Sequence, residues 1–206
     1  MITRDNFIEL TNNKASHPYL YSIMPIHNIP SVMEHGILSH DLAKKIAHES
    51  VALEDVQNKR EVKIINTGRK LHSYANLYFD SYNPMLSRLR HLNNEICLLA
   101  IDPSIMNVPG TVVTSCNAAS GIVQFVDPTE MTDVLDFDII YKRYWVDENG
   151  HVNANNKLIK CAEVLVPDYI PYNYIAGAIV ISRAVKAKLE EIGFNRNIRI
   201  DNSRFF

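Results

Sequence analysis

Residues 161–167 read CAEVLVP. The alanine, valine and leucine around Glu163 predict a buried strand, which ends at a proline because proline lacks the N–H that a sheet ladder needs. Glu163 is out of place in such a strand, since a buried charge without a partner is strongly unfavourable. Its carboxylate therefore faces a cleft, pairs with a cation, or begins the strand where the first side chain reaches solvent. The local pattern leaves these three alternatives open.

Short runs of the same kind occur along the rest of the chain, separated by helical patterns and turns. We predict strands over residues 20–26, 74–79, 95–101, 111–115, 122–126, 139–146, 161–166, 175–181 and 198–206. We predict helices over residues 29–36, 41–47, 84–90, 128–135 and 182–192, and surface loops over residues 49–69 and 152–157. Strands and helices without a regular βαβ alternation are typical of an α+β fold rather than of a doubly wound parallel sheet.

The size and composition suit one globular domain that covers residues 1–206. The chain is 47% hydrophobic and 21% charged, which is neither a disordered nor a membrane composition. The first residues lack the apolar stretch of a secretory signal, and no segment approaches the roughly 20 apolar residues that span a bilayer. Cys97, Cys116 and Cys161 lie far apart, and the histidines do not combine with them at metal-ligand spacings. We therefore expect a cytoplasmic protein without disulfides or a metal site.

The formal net charge is −2, whereas proteins that coat nucleic acids through bulk electrostatics are usually clearly basic. Basic residues gather in three segments, residues 44–70, 88–91 and 142–160. Such clusters are often ordinary solvated surface. Because the net charge is not basic, any contact with nucleic acid is expected to be local. The sequence contains no Gly-x-Gly-x-x-Gly or P-loop motif, so a bound nucleotide would not rest in a glycine-rich phosphate loop.

Several motifs, in order and spacing, make most of the chain resemble one known family. They are IHNIPSV at residues 26–32 with EHG at 34–36, HSYANLYF at 72–79, NPML at 83–86, NAAS at 117–120, AEVLVP at 162–167, and the aromatic end at Phe205 and Phe206. With these motifs the sequence resembles the DarT family of DNA ADP-ribosyltransferases, the toxin halves of toxin–antitoxin pairs.

The resemblance implies a fold, an activity and partners. The implied fold is a single ADP-ribosyltransferase domain, in which two small sheets and peripheral helices surround a cleft that holds NAD. The implied reaction transfers ADP-ribose from NAD to thymine in single-stranded DNA and releases nicotinamide. The implied partner, besides DNA, is a macrodomain antitoxin similar to DarG.

The catalytic residues that the resemblance implies are Glu163 and Arg60. A carboxylate near the nicotinamide ribose stabilises the positive charge that develops on the sugar as the glycosidic bond breaks. Arginine can hold a phosphate or a carboxylate through two parallel hydrogen bonds. The alignment is looser around Arg60, and Arg69 is a second candidate for its role.

Residues near the end of the first strand and the first helix are the candidates for contacts with NAD. The cofactor-binding residues implied by the resemblance are Ile26, His27, Asn28, His35, Gly36, Arg60, Tyr74 and Met85. Among them, Tyr74 and Met85 either pack the core or wall the nicotinamide pocket. Residues 122–163 correspond to the region that selects the substrate in this fold, and its basic and aromatic members offer phosphate contacts and stacking faces. These members are Lys142, Arg143, Tyr144, Trp145, Lys157 and Lys160.

The sequence departs from the family pattern at Ser73, where an acidic residue is common, and at residues 121–124, where a basic residue is often found. These departures keep guanine open as a second target base. Two other functions also stay open. The same carboxylate and cleft could belong to an NAD glycohydrolase or a protein-directed ADP-ribosyltransferase, and Glu163 could be an ordinary strand residue of a non-catalytic nucleic-acid binding domain.

Overall fold

The chain is described by a computed structural model that covers residues 1–50 and 54–206. The strands in these residues are β1 (Leu20–Pro25), β2 (Ile37–Leu38), β3 (Tyr74–Tyr78), β4 (Ile96–Ile101), β5 (Val112–Thr114), β6 (Phe125–Val126), β7 (Glu163–Pro167), β8 (Tyr169–Ile170), β9 (Ile175–Val180) and β10 (Asn197–Ile200). The α-helices are α1 (Arg4–Leu10), α2 (Ile29–His35), α3 (His40–Ala43), α4 (Glu54–Glu61), α5 (Pro84–Arg88), α6 (Met131–Val134), α7 (Phe137–Ile140), α8 (Ala154–Ile159) and α9 (Arg183–Glu191).

The larger sheet is almost divided into two halves. Within the described residues, eight strands are ordered β10-β9-β4-β1-β3-β7-β5-β6, while β2 and β8 form a separate two-stranded sheet. β1 pairs with β4 through six residue pairs, and β3 pairs with β7 through five, but β1 and β3 share only the pair of Tyr21 with Tyr78. The α+β class with sheets around a cleft is therefore confirmed, and two four-stranded halves take the place of two separate small sheets.

The two faces of the larger sheet are packed differently. On the back face, side chains from both halves, including Leu99, Leu77 and Val164, join one continuous core. On the front face, Leu98 belongs to a cluster of the first half, whereas Leu165 belongs to a separate cluster of the second half. The back face therefore holds the halves together, and the front face leaves room for a cleft between them.

Side-chain caps set the ends of the helices that border this cleft. Asn83 precedes α5, and its Oδ1 accepts a hydrogen bond from the Leu86 N–H at 3.0 Å. Pro84 fits the first turn of α5, where its missing N–H is not needed. Asn153 caps α8 in the same way, with its Oδ1 3.0 Å from the Asn156 nitrogen.

Three predictions of local structure were wrong, and in two of the segments a polar side chain caps the helix that is present instead. The predicted strand at 139–146 is wrong because Asp136 accepts a hydrogen bond from the Ile139 N–H and starts α7, which runs to Ile140. The predicted loop at 152–157 overlaps α8. The predicted loop at 49–69 contains α4, and its residues 51–53 lie outside the described residues.

Other predicted elements are present but shorter. The predicted strand at 198–206 gives way after Ile200, where the Asp201 side chain caps a 3-10 turn over Asn202–Arg204. The predicted helix at 41–47 is reduced to α3, and the predicted strand at 122–126 to β6. None of the helices in the described ranges combines the length and the apolar character that crossing a bilayer requires.

Candidate active site

A groove runs along the front face where the halves of the sheet separate. Its wide end is a cleft of about 1000 Å³, and its narrow end is an adjoining cavity of about 190 Å³. The two ends share four lining residues, which we call the waist: Ser22, Ile23, Gln57 and Asn76. The two cavities are therefore continuous. One elongated ligand can occupy both ends, or two ligands can meet at the waist.

Glu163 lies in the wall of the wide end as the first residue of β7. The strand register places it beside Tyr78, the residue through which the two halves of the sheet meet. Its side chain is only 1% exposed. Of the three alternatives for this carboxylate, the structure combines two, because Glu163 both borders a cleft and pairs with a cation.

Three hydrogen bonds hold the Glu163 carboxylate. Arg60 Nη1 donates to Oε1 at 3.1 Å and to Oε2 at 3.0 Å, and the Ala118 N–H donates to Oε1 at 2.9 Å. Arg60 is itself buried, with a side chain 9% exposed. A buried ion pair persists only when further hydrogen bonds satisfy its atoms, and the Ala118 N–H supplies one. The NAAS motif at residues 117–120 thus acts through its backbone.

The backbone of Glu163 is fixed as well. Its N–H donates to Thr114 Oγ1 on β5 at 2.8 Å, and the same hydroxyl donates to the Cys116 carbonyl at 2.7 Å. This arrangement ties the beginning of β7 to the neighbouring strand and to the turn that carries Ala118. The position of the carboxylate is therefore set by both its main chain and its side chain.

Two ionisable neighbours of Glu163 keep their protons. Burial raises the pKa of Tyr78 well above its ordinary value, and the negative charge of Glu163 raises it further. Burial raises the pKa of Cys161 to about 12, again with a contribution from Glu163. A thiol nucleophile acts as the thiolate, so Cys161 is unsuited to nucleophilic catalysis near neutral pH. Glu163 and Arg60 are then the charged pair at this point of the wall.

Gln57 lies one helical turn before Arg60 on α4 and lines the waist of the groove. Its Oε1 atom is buried and has no hydrogen-bond partner among the residues that the structure describes. A buried acceptor without a donor is unfavourable, so the arrangement suits a ligand that donates a hydrogen bond at the waist.

The narrow end is shaped by α2 and the residues that follow it. Asn28 lines this end, and its side chain makes two hydrogen bonds with the Glu49 backbone, at 2.8 and 2.9 Å. Gly36 has a φ of +79°, and a Cβ there would lie 2.2 Å from the Ile170 carbonyl oxygen. Only glycine therefore allows α2 to end against β8.

Of the other predicted NAD contacts, some line the groove and others do not. Met85 lines the wide end. The His27 side chain is 77% exposed near Glu49, and the His35 side chain is 41% exposed near Glu34. Ile26 is buried in the back-face core, and Tyr74 is buried in the front cluster of the second half, where its hydroxyl contacts Thr67. None of these four residues, Ile26, His27, His35 and Tyr74, lines either of the two cavities.

The structure separates the two arginine candidates. Arg60 contacts Glu163, whereas Arg69 pairs with Asp168 at a partly exposed position outside both cavities. It also separates the basic residues expected to contact DNA. Lys157 and Trp145 line the wide end, but the Lys160 side chain is fully buried and donates to the Ile140 carbonyl, so the expectation of a phosphate contact by Lys160 was wrong.

Several lining residues were not predicted as part of the site. In the wide end these are Arg88, Arg90 and His91, which follow along α5 and the turn after it, together with the two amides of Asn76 and Asn117. The basic segment at 88–91 was visible in the sequence, and the NPML motif beside it was the signal that could have placed it at the site.

Comparison with known proteins gives consistent matches. A family model described as "ssDNA thymidine ADP-ribosyltransferase, DarT" matches residues 21–206. A DNA ADP-ribosyl transferase–DNA ADP-ribosyl glycohydrolase fusion protein of Thermosipho africanus is 32% identical over 198 residues, which cover 91% of this chain and 49% of the relative. A DNA ADP-ribosyl transferase of Thermus aquaticus is 26% identical over 184 residues, which cover 84% of this chain and 79% of the relative. The chain thus spans about half the length of the fusion protein.

Solved structures match over the same region. Thermosipho africanus DarTG in complex with ADP-ribose has a TM-score of 0.77 and 31% identity, and the match covers 91% of this chain and 51% of that one. Thermus sp. 2.9 DarT in complex with ADP-ribosylated ssDNA has a TM-score of 0.80 and 21% identity, with 91% and 96% of the two chains covered. At 21% identity, the second match is evidence for a shared fold alone.

Proposed function

Because this chain belongs to the DarT family of ssDNA thymidine ADP-ribosyltransferases, we propose that it transfers ADP-ribose from NAD to a thymine base of single-stranded DNA and releases nicotinamide. The observation that carries the proposal is the Glu163 carboxylate, which Arg60 and the Ala118 N–H hold in the wall of the wide end. The family description and the molecules bound in the Thermus sp. 2.9 structures, ADP-ribosylated ssDNA and carba-NAD+, supply the substrates.

The groove fits NAD as a substrate. NAD is elongated, and the groove offers a narrow end for its adenosine half and a wide end for its nicotinamide ribose. Gln57 Oε1 at the waist, which has no hydrogen-bond partner in residues 1–50 and 54–206, matches the hydroxyl and amide donors of the dinucleotide. We assign Asn28 and Gly36 to the adenosine half, with His27 and His35 at its rim, and Met85 to the nicotinamide end. Ile26 and Tyr74 contribute through packing.

Glu163 and Arg60 have different parts in the proposed reaction. The bond between the ribose C1′ and the nicotinamide nitrogen breaks, and nicotinamide leaves as a neutral molecule. A bond between C1′ and a thymine ring nitrogen forms, and the proton of that N–H is released to the solvent. Positive charge develops on the ribose during this exchange, and the Glu163 carboxylate stabilises it electrostatically. Arg60 orients Glu163, because its Nη1 atom donates to both carboxylate oxygens.

The walls of the wide end suit a single DNA strand. Arg88, Arg90 and Lys157 offer charges for phosphates, and Trp145 offers a ring on which an unpaired base could stack. A duplex would hide the pairing edge of thymine, whereas a single strand exposes it without the cost of unpairing. With a net charge of −2, this local cluster is the basis for DNA binding.

A relative supports a proposed partner, and the cysteines support a proposed location. The Thermosipho relative joins a DNA ADP-ribosyl transferase to a DNA ADP-ribosyl glycohydrolase in one protein. We therefore propose that a macrodomain antitoxin similar to DarG removes the modification that this chain makes. A reducing cytoplasm suits its three cysteines, which are all free and buried.

Mass spectrometry of oligonucleotides tests this function. The protein is incubated with NAD and single-stranded oligonucleotides of varied sequence, beside a Glu163→Gln control. We expect the mass of one ADP-ribose on thymine-containing strands with the wild-type protein only. Release of nicotinamide without any modified oligonucleotide would instead indicate an NAD glycohydrolase or a protein-directed enzyme, and modification of strands that lack thymine would identify guanine as the target.

A further inference from the structure

Four aromatic side chains and one arginine form a cluster beside the wide end, which we call the aromatic tier: Tyr82, Arg143, Tyr144, Trp145 and Phe206. Tyr82 stacks on Phe206 with ring centroids 3.9 Å apart and an angle of 24° between the rings. The Tyr144 ring meets Tyr82 edge-on at 5.9 Å. The guanidinium of Arg143 lies 4.8 Å from the centroid of Tyr82 and 5.7 Å from that of Tyr144.

The aromatic tier is continuous with the proposed active site. Trp145 lines the wide end and lies 5.8 Å from Phe206, so ring contacts lead from the groove to Tyr82 and Tyr144. The Phe206 carbonyl accepts a hydrogen bond from Asn93 at 2.8 Å, close to the basic segment at 88–91. The tier therefore joins the Trp145 wall of the wide end to the wall that carries the basic segment at 88–91.

The outer part of the tier is not needed for the core. Tyr144 is 50% exposed, although tyrosine rings usually pack against other residues, and Arg143 is exposed beside it. Planar guanidinium and aromatic groups stack readily on bases, and the stacking tolerates any base because each has a π-face.

The local charge favours an anionic chain over other occupants. Arg143 belongs to the tier, and Lys157, Arg88 and Arg90 line the adjoining wide end, while Asp147 and Glu148 follow Trp145 in sequence. Asp80, two residues before Tyr82, is paired inside the fold with Lys160 and Arg204. The Asp147 carboxylate is engaged within its own turn, where it accepts hydrogen bonds from two backbone N–H groups. A phosphate backbone that leaves the groove over the tier would therefore meet excess positive charge.

We propose that the aromatic tier binds a base next to or near the target thymine in the same DNA strand, with the base stacked on Tyr144 and Arg143. This inference rests on the proposed function. Stacking adds affinity with little dependence on base identity, so the tier contributes to the required length of the strand rather than to its sequence motif.

A coupling experiment with abasic sites tests the proposal. A single abasic position is moved along both flanks of an oligonucleotide that the wild-type protein modifies, and KM and kcat are measured for the wild type and Tyr144→Ala. We expect one flanking abasic position to raise the wild-type KM by about 30-fold, which is the middle of the range for one stacked base. The same position should add almost nothing in Tyr144→Ala, because the variant has already lost the stacking partner.

Two controls separate stacking from a general loss of structure. Tyr144→Phe keeps the ring and loses the hydroxyl that accepts from Arg143 at 3.3 Å, so it should behave almost as the wild type. Tyr169→Ala removes another half-exposed tyrosine, which lines neither cavity, and should leave KM for the oligonucleotide unchanged.

The possible failures are distinguishable. If the wild type modifies oligonucleotides but every abasic position has the same effect on the wild type and on Tyr144→Ala, the aromatic tier does not bind a flanking base, and the proposed function stands. If the wild type modifies no oligonucleotide while consuming NAD, the proposed function and this inference are both overturned.

Discussion

Lys160 and Glu163 are three residues apart, both are buried, and each pairs with an opposite charge. Lys160 uses all three of its donors inside the protein, on the Ile140 and Lys142 carbonyls and on Asp80. The two carboxylate oxygens of Glu163 accept three hydrogen bonds, although a carboxylate offers about four acceptor sites. Lys160 has no free hydrogen-bond donor left within the fold, whereas Glu163 keeps acceptor capacity towards the cleft.

The comparison gives a physical criterion for separating a structural charge from a chemical one. Burial raises the pKa of Asp80 and lowers the pKa of Lys160, and the attraction between the two opposes both shifts. Lys160 has no donor left to offer a ligand, and neither Lys160 nor Asp80 lines the groove. Glu163 is equally buried by exposure but lines the groove, so its charge remains available to a substrate. Substitutions at the two pairs should therefore affect different measurements.

The largest effect is expected for Glu163→Gln. This variant keeps the size of the side chain and one acceptor oxygen for Arg60 or Ala118, but it removes the negative charge. We expect kcat for the modification of DNA to fall by about 10²–10³-fold, the range for loss of one preorganised electrostatic group. The free energy of unfolding should change by only about 1–2 kcal/mol. Single-turnover kinetics and urea unfolding measure the two quantities.

A Glu163→Gln protein with wild-type kcat would contradict the assignment of this carboxylate to the chemical step. A protein that fails to fold would instead make Glu163 resemble Lys160. Arg60→Lys supplies the matched test of the partner, because lysine keeps the charge but loses the geometry with which Arg60 reaches both carboxylate oxygens.

The opposite behaviour is expected for Lys160→Met. This change leaves the buried Asp80 without its nearest ammonium, although Arg204 remains 3.6 Å away. We expect the free energy of unfolding to fall by about 3 kcal/mol, while kcat per folded molecule changes little. Lys157→Met, on an exposed residue three positions earlier, should change stability by less than about 0.5 kcal/mol.

A double variant sharpens this prediction. Replacing both Lys160 and Asp80 by apolar residues of similar volume removes the charge that the single change leaves unpaired. Stability should therefore recover most of the loss. If Lys160→Met has wild-type stability in urea, the interior pair contributes nothing and the contrast with Glu163 fails.

The His40–His72 pair lies between these two cases, because His72 is buried while His40 is partly exposed and borders the narrow end of the groove. The rings are 4.2 Å apart, and burial is the main cause that lowers both pKa values below 6.5. Asp41 opposes the shifts, whereas Lys44 and Arg60 add to them. As the pH falls, these histidines bind protons in the unfolded chain before they do so in the folded protein. Their contribution to the free energy of unfolding is therefore complete above pH 6.5 and is lost below it.

Urea unfolding between about pH 5 and pH 8 measures this decline. His72→Phe keeps a ring against His40 and removes one of the titrating groups, so its stability should depend less steeply on pH below 6.5 than that of the wild type. His151→Phe, at a side chain that is 80% exposed, should keep the wild-type slope. Equal slopes in wild type and His72→Phe would show that His72 carries the same proton in both states.

The sequence predicted the strands of both halves well where long apolar runs define them. Residues 95–101 and 161–166 are examples, because burial on both faces leaves an almost unbroken apolar pattern in β4 and β7. The short polar helices α4 and α8 were predicted wrongly. α4 carries almost no hydrophobic pattern, and the contact of Arg60 with Glu163, 103 residues away in sequence, is part of what positions it.

The site was predictable to a similar degree. Glu163 stood out because a charged residue in a buried apolar strand is unfavourable without a partner. That argument requires no knowledge of topology. Lys157 and Lys160 could not be told apart, since one lines the groove and the other is buried at adjacent turns of one polar segment. The waist residues Gln57 and Asn76 escaped notice because amides are common on surfaces, and their significance depends on the split between β1 and β3.

The smallest effect is expected at Gln57, which tests whether spare hydrogen-bonding capacity marks function elsewhere in the groove. Its buried Oε1 has no partner among the described residues, so it resembles Glu163 rather than Lys160. If this atom accepts from NAD, Gln57→Ala should raise KM for NAD by about 2–10-fold, the value of one neutral hydrogen bond, with a smaller change in kcat. Asn58→Ala, at the exposed neighbour on α4, is the matched control. An unchanged KM in Gln57→Ala, together with higher stability, would mean that the orphaned amide is a cost of folding that no substrate offsets.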